Sequence, residues 1–268
     1  RSYEEVVSYP PNQVYIGKLK PEDLRDYEMP WYNKQVEGAD RYSKFGEIMP
    51  QQEFIGLMKI VDAFDLVRLE KSFSSSTKEK LAKHPLIKEE LLSKLKEGDP
   101  LDDIEKAIKE QHAEPIYHED KIVGCVKRAH ELDTNLSAHI MFENIVVKAS
   151  GVLSFLHLLD KNNIDPAEIQ YVIECSEEAC GDMNQRGGGN FAKSIAEMVG
   201  AINATGSDTR AFCAAPTHAL IQAAALVKAE VYENVVIVAG GATAKLGMNG
   251  KDHVKKEMPI LEDVIGGF

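Results

Sequence analysis

Cys213 stands in the setting most suited to chemistry in this 268-residue chain. It lies within Arg210-Ala211-Phe212-Cys213-Ala214-Ala215-Pro216-Thr217-His218-Ala219-Leu220, where a short strand expected over 209–213 gives way to an alanine-rich helix expected over 217–231. Pro216 suits a first helical turn, because the N–H it lacks would be unpaired there anyway. The helix from Ala219 to Val227 is apolar on most faces and is therefore expected to be buried. Its N-terminus would direct partial positive charge and N–H groups at the thiol. That arrangement favours the thiolate nucleophile and can hold the oxyanion of a thioester under attack. A buried structural cysteine fits the same spacing, since cysteine is among the most buried residue types. Both readings stand on spacing alone.

Other residues carry weaker signals. Cys175 and Cys180 follow an apolar strand, with Glu174, Glu177, Glu178 and Asp182 nearby. A metal centre would want two more soft ligands at tighter spacing. Cys180 is instead a candidate second redox or transfer thiol, because open parallel sheets place their chemistry at the carboxyl ends of their strands. Gly187-Gly188-Gly189 precedes a helix and could cradle a phosphate, with Arg186 as the adjoining cation. The run lacks the lysine and hydroxyl of a P-loop, and a tight turn or a subunit contact is the favoured reading. His218 follows Cys213 by five residues, about 500° around a helix, which points it away from the thiol and toward packing or an interface. Gly240-Gly241-Ala242-Thr243 forms a turn after the last strand, so Gly240 and Gly241 are candidate substrate-binding positions.

The elements that must position these residues fall in three stretches. Residues 1–49 are aromatic and punctuated by proline, with a strand only at Val14-Tyr15-Ile16. Residues 50–114 read as a helical insertion: a helix after Pro50 extending through Leu66–Leu69, a break at the serine run Phe73–Thr77, a charged helix over 78–96 and a third over 101–111. Residues 115–268 alternate strands and helices. Strands are expected over 122–126, 169–174, 209–213 and 234–239, and helices over 140–160, 191–203 and 217–231. The later elements form a βαβαβ pattern, hence a mainly parallel sheet covered by helices and an α/β fold class.

Composition narrows the function classes. Thirty-one Lys+Arg against 43 Asp+Glu leave a net charge of −12, which repels phosphate backbones, so nucleic acid is not an expected partner. No continuous apolar run approaches the ~20 residues of a spanning helix, so no membrane role is expected. The 4 cysteines do not make a disulfide framework and read as reduced thiols in a cytoplasm. The chain opens at Arg1 and stops at Phe268 inside a Gly-rich phrase, and so reads as a piece of a longer protein.

Residues 140–240 resemble the N-terminal half of the thiolase-like fold, and most closely its β-ketoacyl-ACP synthase III branch. Cys213 to Leu220 lies without a gap on that branch's acyl-accepting cysteine motif, with Ala215 in place of its glycine and Pro216 in place of a large residue. Ile164-Asp165-Pro166-Ala167-Glu168-Ile169 resembles the entry to the family's third strand, and Val235–Val238 falls at the matching distance. The phrases Arg1–Val7, Tyr9–Gln13, Pro30-Trp31-Tyr32 and Phe45–Pro50 depart from ordinary synthases. With the helical insertion and Phe212–His218 they resemble the beta subunits of component C of glycine/sarcosine/betaine reductases, over essentially the whole chain.

That resemblance implies an acyl-handling enzyme subunit in an anaerobic, amino-acid-fermenting bacterium. A selenoprotein partner would present a carboxymethyl-selenoether, component C would carry an acetyl thioester, and phosphate would release acetyl phosphate. It implies Cys213 as nucleophile, an alpha subunit of component C as partner, a homodimer, and no cofactor. The second half of the fold, with the catalytic residues it supplies in synthases, would lie outside this chain. A condensing acyltransferase acting on acyl-CoA and a non-catalytic assembly subunit are the rival readings.

Overall fold

The computed structural model describes residues 2–8, 22, 35–42, 46–176 and 190–241. Two three-stranded sheets flank one long helix. After a short α1 (Tyr3–Ser8), helix α2 (Gln51–Val61) starts behind Pro50 and is buried nearly all round. Asp62 then turns the chain by accepting from the amides of Phe64 and Val67, and β1 (Val67–Leu69) follows. The helix expected through Leu66–Leu69 is therefore a strand. Its apolar residues pair with another strand instead of continuing the helical stripe.

The serine run does not break a helix either. Helix α3 (Lys71–Leu81) runs through it, because the Glu70 carboxylate caps the amides of Ser72 and Phe73. The serines that compete with a helical backbone in an isolated sequence find tertiary partners here. Gln52 on α2 donates to Ser76 and Thr77, and Ser74 donates to the Lys96 carbonyl. The single charged helix expected over 78–96 is likewise divided. Pro85 follows the end of α3, and only Glu89–Leu92 resumes as α4. Helix α5 (Leu101–Gln111) forms where the sequence places it, closed by His112 at φ 54°.

A hairpin then joins β2 (Glu114–His118) to β3 (Lys121–Val126). Glu119 and Asp120 both take positive φ, the geometry of the tight two-residue turn that suits twisted strands. Strand β3 matches expectation, whereas β2 was not read from the sequence. The three form an antiparallel sheet in the order β1-β3-β2.

Helix α6 (Ala138–Asn162) is the spine of the molecule, closed by Asn163 at φ 51°. Although no continuous apolar run reaches membrane length, this helix is long and apolar enough to cross one by composition. Most of it is buried inside the protein, as a core helix is. Strand β4 (Tyr171–Glu174) follows, then α7 (Phe191–Met198), β5 (Thr205–Asp208), a one-turn 3-10 helix (Phe212–Ala214), α8 (Ala215–Lys228) and β6 (Val235–Val238). The last three strands make a parallel sheet ordered β5-β4-β6, with Glu174 level with Asp208 on one side and Val238 on the other. This is the βαβαβ arrangement expected. The strand expected over 209–213 lies earlier, at Thr205–Asp208. There Gly206 is needed, because a Cβ would sit 2.4 Å from the Val172 carbonyl oxygen.

The two faces of the parallel sheet are covered unequally. Val172, Val236 and Val238 pack with α6 and α7 into the main core. On the other face Ile173 and Cys175 cluster with Ala215, Ala219 and Ala223 of α8, one alanine per turn, with Leu226 packed against them. Much of α8 faces outward: Leu220 is 62% and Ile221 61% exposed. The helix expected to be buried on most faces is therefore an outer layer among the described residues.

Candidate active site at the strand ends

Cys213 does not end a strand. It sits in the 3-10 turn between β5 and α8, and it is exposed. Phe212 before it takes φ 49° with its side chain 78% exposed, an uncommon backbone state for a large residue. The turn consumes its own first donors: Ala214 N–H bonds the Ala211 carbonyl, and Ala215 N–H the Phe212 carbonyl. Pro216 has no donor to offer. Helix α8 starts two residues after Cys213, so the positive end of its dipole lies beside the turn. His218 is exposed on α8. Thr209 Oγ1 donates to Gln222 Oε1 at 2.9 Å, fastening the approach to the turn onto the same helix.

Beside this turn lies a charged network that the motifs did not reveal. Glu174, at the carboxyl end of the central strand, has a fully buried side chain, and its Oε2 lies 2.6 Å from Arg210 Nη1. Arg210 Nη2 is also 3.6 Å from Asp208 Oδ2, and its guanidinium lies 6.0 Å from the centre of the Phe191 ring. Asp208 accepts from the amides of Phe191 and Ala192 and so caps α7, while Asn190 accepts from Lys193 N–H. Burial pushes the Glu174 carboxyl upward, opposed by Arg210 and by Ser176. Arg210 is thus paired within the chain.

The candidate binding glycines lie on the other flank. Gly240 N–H donates to Ser176 Oγ at 2.7 Å, and Gly241 N–H to Ser150 Oγ at 3.0 Å. Gly240 admits no side chain, since a Cβ would stand 1.9 Å from the Val147 carbonyl oxygen. Both amides are therefore engaged in tying the β6 exit to the sheet edge and α6. Burial raises the Cys175 and Cys125 thiols to about 11 each. Cys175 packs under α8, so it is structural rather than reactive. Among the described residues no group of three His, Cys, Asp or Glu side chains could hold a metal ion. Cys180, Arg186 and Gly187–Gly189 lie outside the described residues.

The arrangement offers one exposed thiol on a constrained turn at the carboxyl edge of a parallel sheet, beside a buried ion pair. Sequence reasoning found the thiol by its proximity to a helix start. It missed Glu174 and Ser176 at the end of the central strand, and Asp208, which lies 34 residues from Glu174 and comes level with it only through strand register. The one available signal was a charged residue ending an apolar strand, as Glu174 does.

The chain is 64% identical, over 270 aligned residues and its whole length, to the glycine/sarcosine/betaine reductase complex component C subunit beta of Peptoclostridium acidaminophilum. This chain is a homologue of that subunit. It spans about half the length of the curated relative, 52%. No family model matches the sequence, and no solved structure matches the fold. The component C homology is in accord with the resemblance carried by the N-terminal phrases and the Phe212–His218 motif.

Proposed function

We propose that this chain is the acyl-accepting region of a component C beta subunit and that Cys213 carries the acyl group. Exposure of Cys213 at the mouth of the α8 turn, while Cys125 and Cys175 are buried, is the observation that supports this reading. An acyl group held as a thioester on Cys213 is released when a phosphate oxygen attacks the carbonyl carbon. The C–S bond breaks, the thiolate leaves, and acetyl phosphate departs. The thiolase-like half fold and a homodimeric assembly belong to the same reading, as do an alpha subunit and a selenoprotein that presents the two-carbon group as a carboxymethyl-selenoether. The βαβαβ sheet with its thiol at the carboxyl edge is what such a half fold requires.

The test uses the full-length protein with its partner subunit. Cys213→Ser should abolish acyl-enzyme formation and acetyl-phosphate-dependent arsenolysis, since a hydroxyl at this position is poorly ionised. Arsenolysis at the parent rate in that variant would remove Cys213 from the mechanism and place the acyl thiol on the partner.

A further inference from the structure

The exits of all three parallel strands converge on one buried carboxylate. Glu174 ends the central strand. Its Oε2 faces Arg210 on the β5 exit at 2.6 Å, and its main-chain carbonyl accepts from Thr209 N–H at 2.7 Å. Its Oε1 accepts from Ser176 N–H at 2.8 Å and from the Ser176 hydroxyl. The same hydroxyl accepts from Gly240 N–H on the β6 exit at 2.7 Å. Through Arg210 and Asp208 the network also touches the start of α7.

Stability alone is a poor reason for this construction. Taking a carboxylate fully out of water is costly, and a buried pair is often matched or bettered by apolar packing. Geometry is a better one. The segment leaving β5 must hold Phe212 at positive φ three residues before it reaches α8, and an unsupported turn would relax from that state. Two-point attachment of Thr209 and Arg210 to one rigid strand end supplies the support.

We propose that the Glu174–Arg210 pair is the positioning device of the Cys213 site. It locks the thiol-bearing turn to the sheet edge and couples it, through Ser176, to Gly240 at the β6 exit. Neither residue is a catalytic residue in this scheme; both act through the placement of Cys213. The proposal rests on the reading of Cys213 as acyl acceptor, but its test is independent of turnover.

The measurement is the second-order rate of alkylation of Cys213 by iodoacetamide between pH 6 and 10. It is read by peptide mapping in the full-length protein, with Cys125 as internal reference. Arg210→Met and Glu174→Gln should each change the Cys213 rate by about fivefold or more and displace its pH profile, the scale of one lost charged contact. Arg210→Lys should restore part of the change, and the Cys125 rate should stay at its parent value. Where Arg210→Met does not fold, Ser176→Ala decides: it keeps both charges, cuts the link to Gly240, and should still alter the Cys213 rate. Parent rates and profiles at Cys213 in the folded variants would overturn the proposal. So would an equal rise at Cys125, which would mean general loosening. Loss of activity in Cys213→Ser bears on the acceptor reading alone, so the two failures are distinguishable.

Discussion

Replacing Glu47 by glutamine tests the charge reasoning at a second buried carboxylate. The Glu47 carboxylate is fully buried, with Oε1 2.6 Å from His84 Nε2 and 3.2 Å from His157 Nε2. Its Oε2 accepts from Arg41 Nε at 2.6 Å, and Arg41 in turn forks onto both Glu53 oxygens at 3.1 and 2.7 Å. Glu47 thus joins the N-terminal segment to α2, to the end of α3 and to α6. Burial by itself would raise this carboxyl. The close approach of the His157 and His84 ring nitrogens, with the charges of His84 and Arg41, overrides burial and holds it at about 2 against an ordinary 4.5. At 1.36 kcal/mol per unit, the difference is worth about 3 kcal/mol of folding stability. The unfolded chain takes up the proton near 4.5 and the folded chain only near 2, so the unfolded state binds more protons between those values. The contribution is therefore complete above pH 4.5 and is lost as pH falls toward 2. Urea unfolding followed by circular dichroism, on parent and Glu47→Gln at pH 7, 4 and 3, is the assay. The variant should lose about 3 kcal/mol at pH 7 and show a flatter acid limb. A loss below about 1 kcal/mol at pH 7, or an acid limb as steep as the parent's, would refute the argument.

Two further outcomes are expected. Thiols raised to about 11 are thiolate in only about one molecule in ten thousand at pH 7, so exposed Cys213 should alkylate at least about a hundredfold faster than Cys125 or Cys175. Comparable rates in a peptide map would return Cys213 to the structural class. Gly240→Ala forces a methyl against the Val147 carbonyl, so it should lower the unfolding free energy by about 2 kcal/mol or more. A melting temperature within a degree of the parent's would show that the β6 exit is not clamped to α6.

Periodicity located the elements whose faces are decided by burial alone. Helix α6 and strand β3 lie where the apolar pattern puts them, as does α5, although little of its surface is buried. The errors share a physical cause, which is that tertiary partners outweighed local preference. Ser74, Ser76 and Thr77 are helical because Gln52 and the Lys96 carbonyl satisfy their hydroxyls. Leu66–Leu69 leaves the helix because Asp62 turns the chain and β3 offers a ladder. Strand β5 was displaced because Thr205-Gly206-Ser207-Asp208 has little apolar content, and what makes it a strand is the pairing with β4. The candidate site divides in the same way. Its thiol is visible as a local signal, whereas the Glu174–Arg210 and Ser176–Gly240 contacts span 36 and 64 residues and depend on register.

Helix α8 carries this argument into the chemistry. Its alanines at 215, 219 and 223 recur every four residues, the spacing that lets a helix approach a sheet closely, and they are what the sheet uses. Leu220, Ile221 and Val227 add apolar surface that this sheet face does not bury. A helix dipole at a solvent-exposed end is worth about 0.3–1 kcal/mol, against about 2 in partly buried geometry. The helix start is therefore a weaker lever on the site than the apolar sequence suggested. Ala215 N–H is already bonded within the 3-10 turn and Pro216 has none, so the first positions of α8 add direction more than donors. In the described residues, charge and rigidity at the thiol-bearing turn come chiefly from Arg210, held by a buried carboxylate on the central strand. That is why Arg210, rather than the composition of α8, is the position at which the reactivity of Cys213 should respond most to substitution.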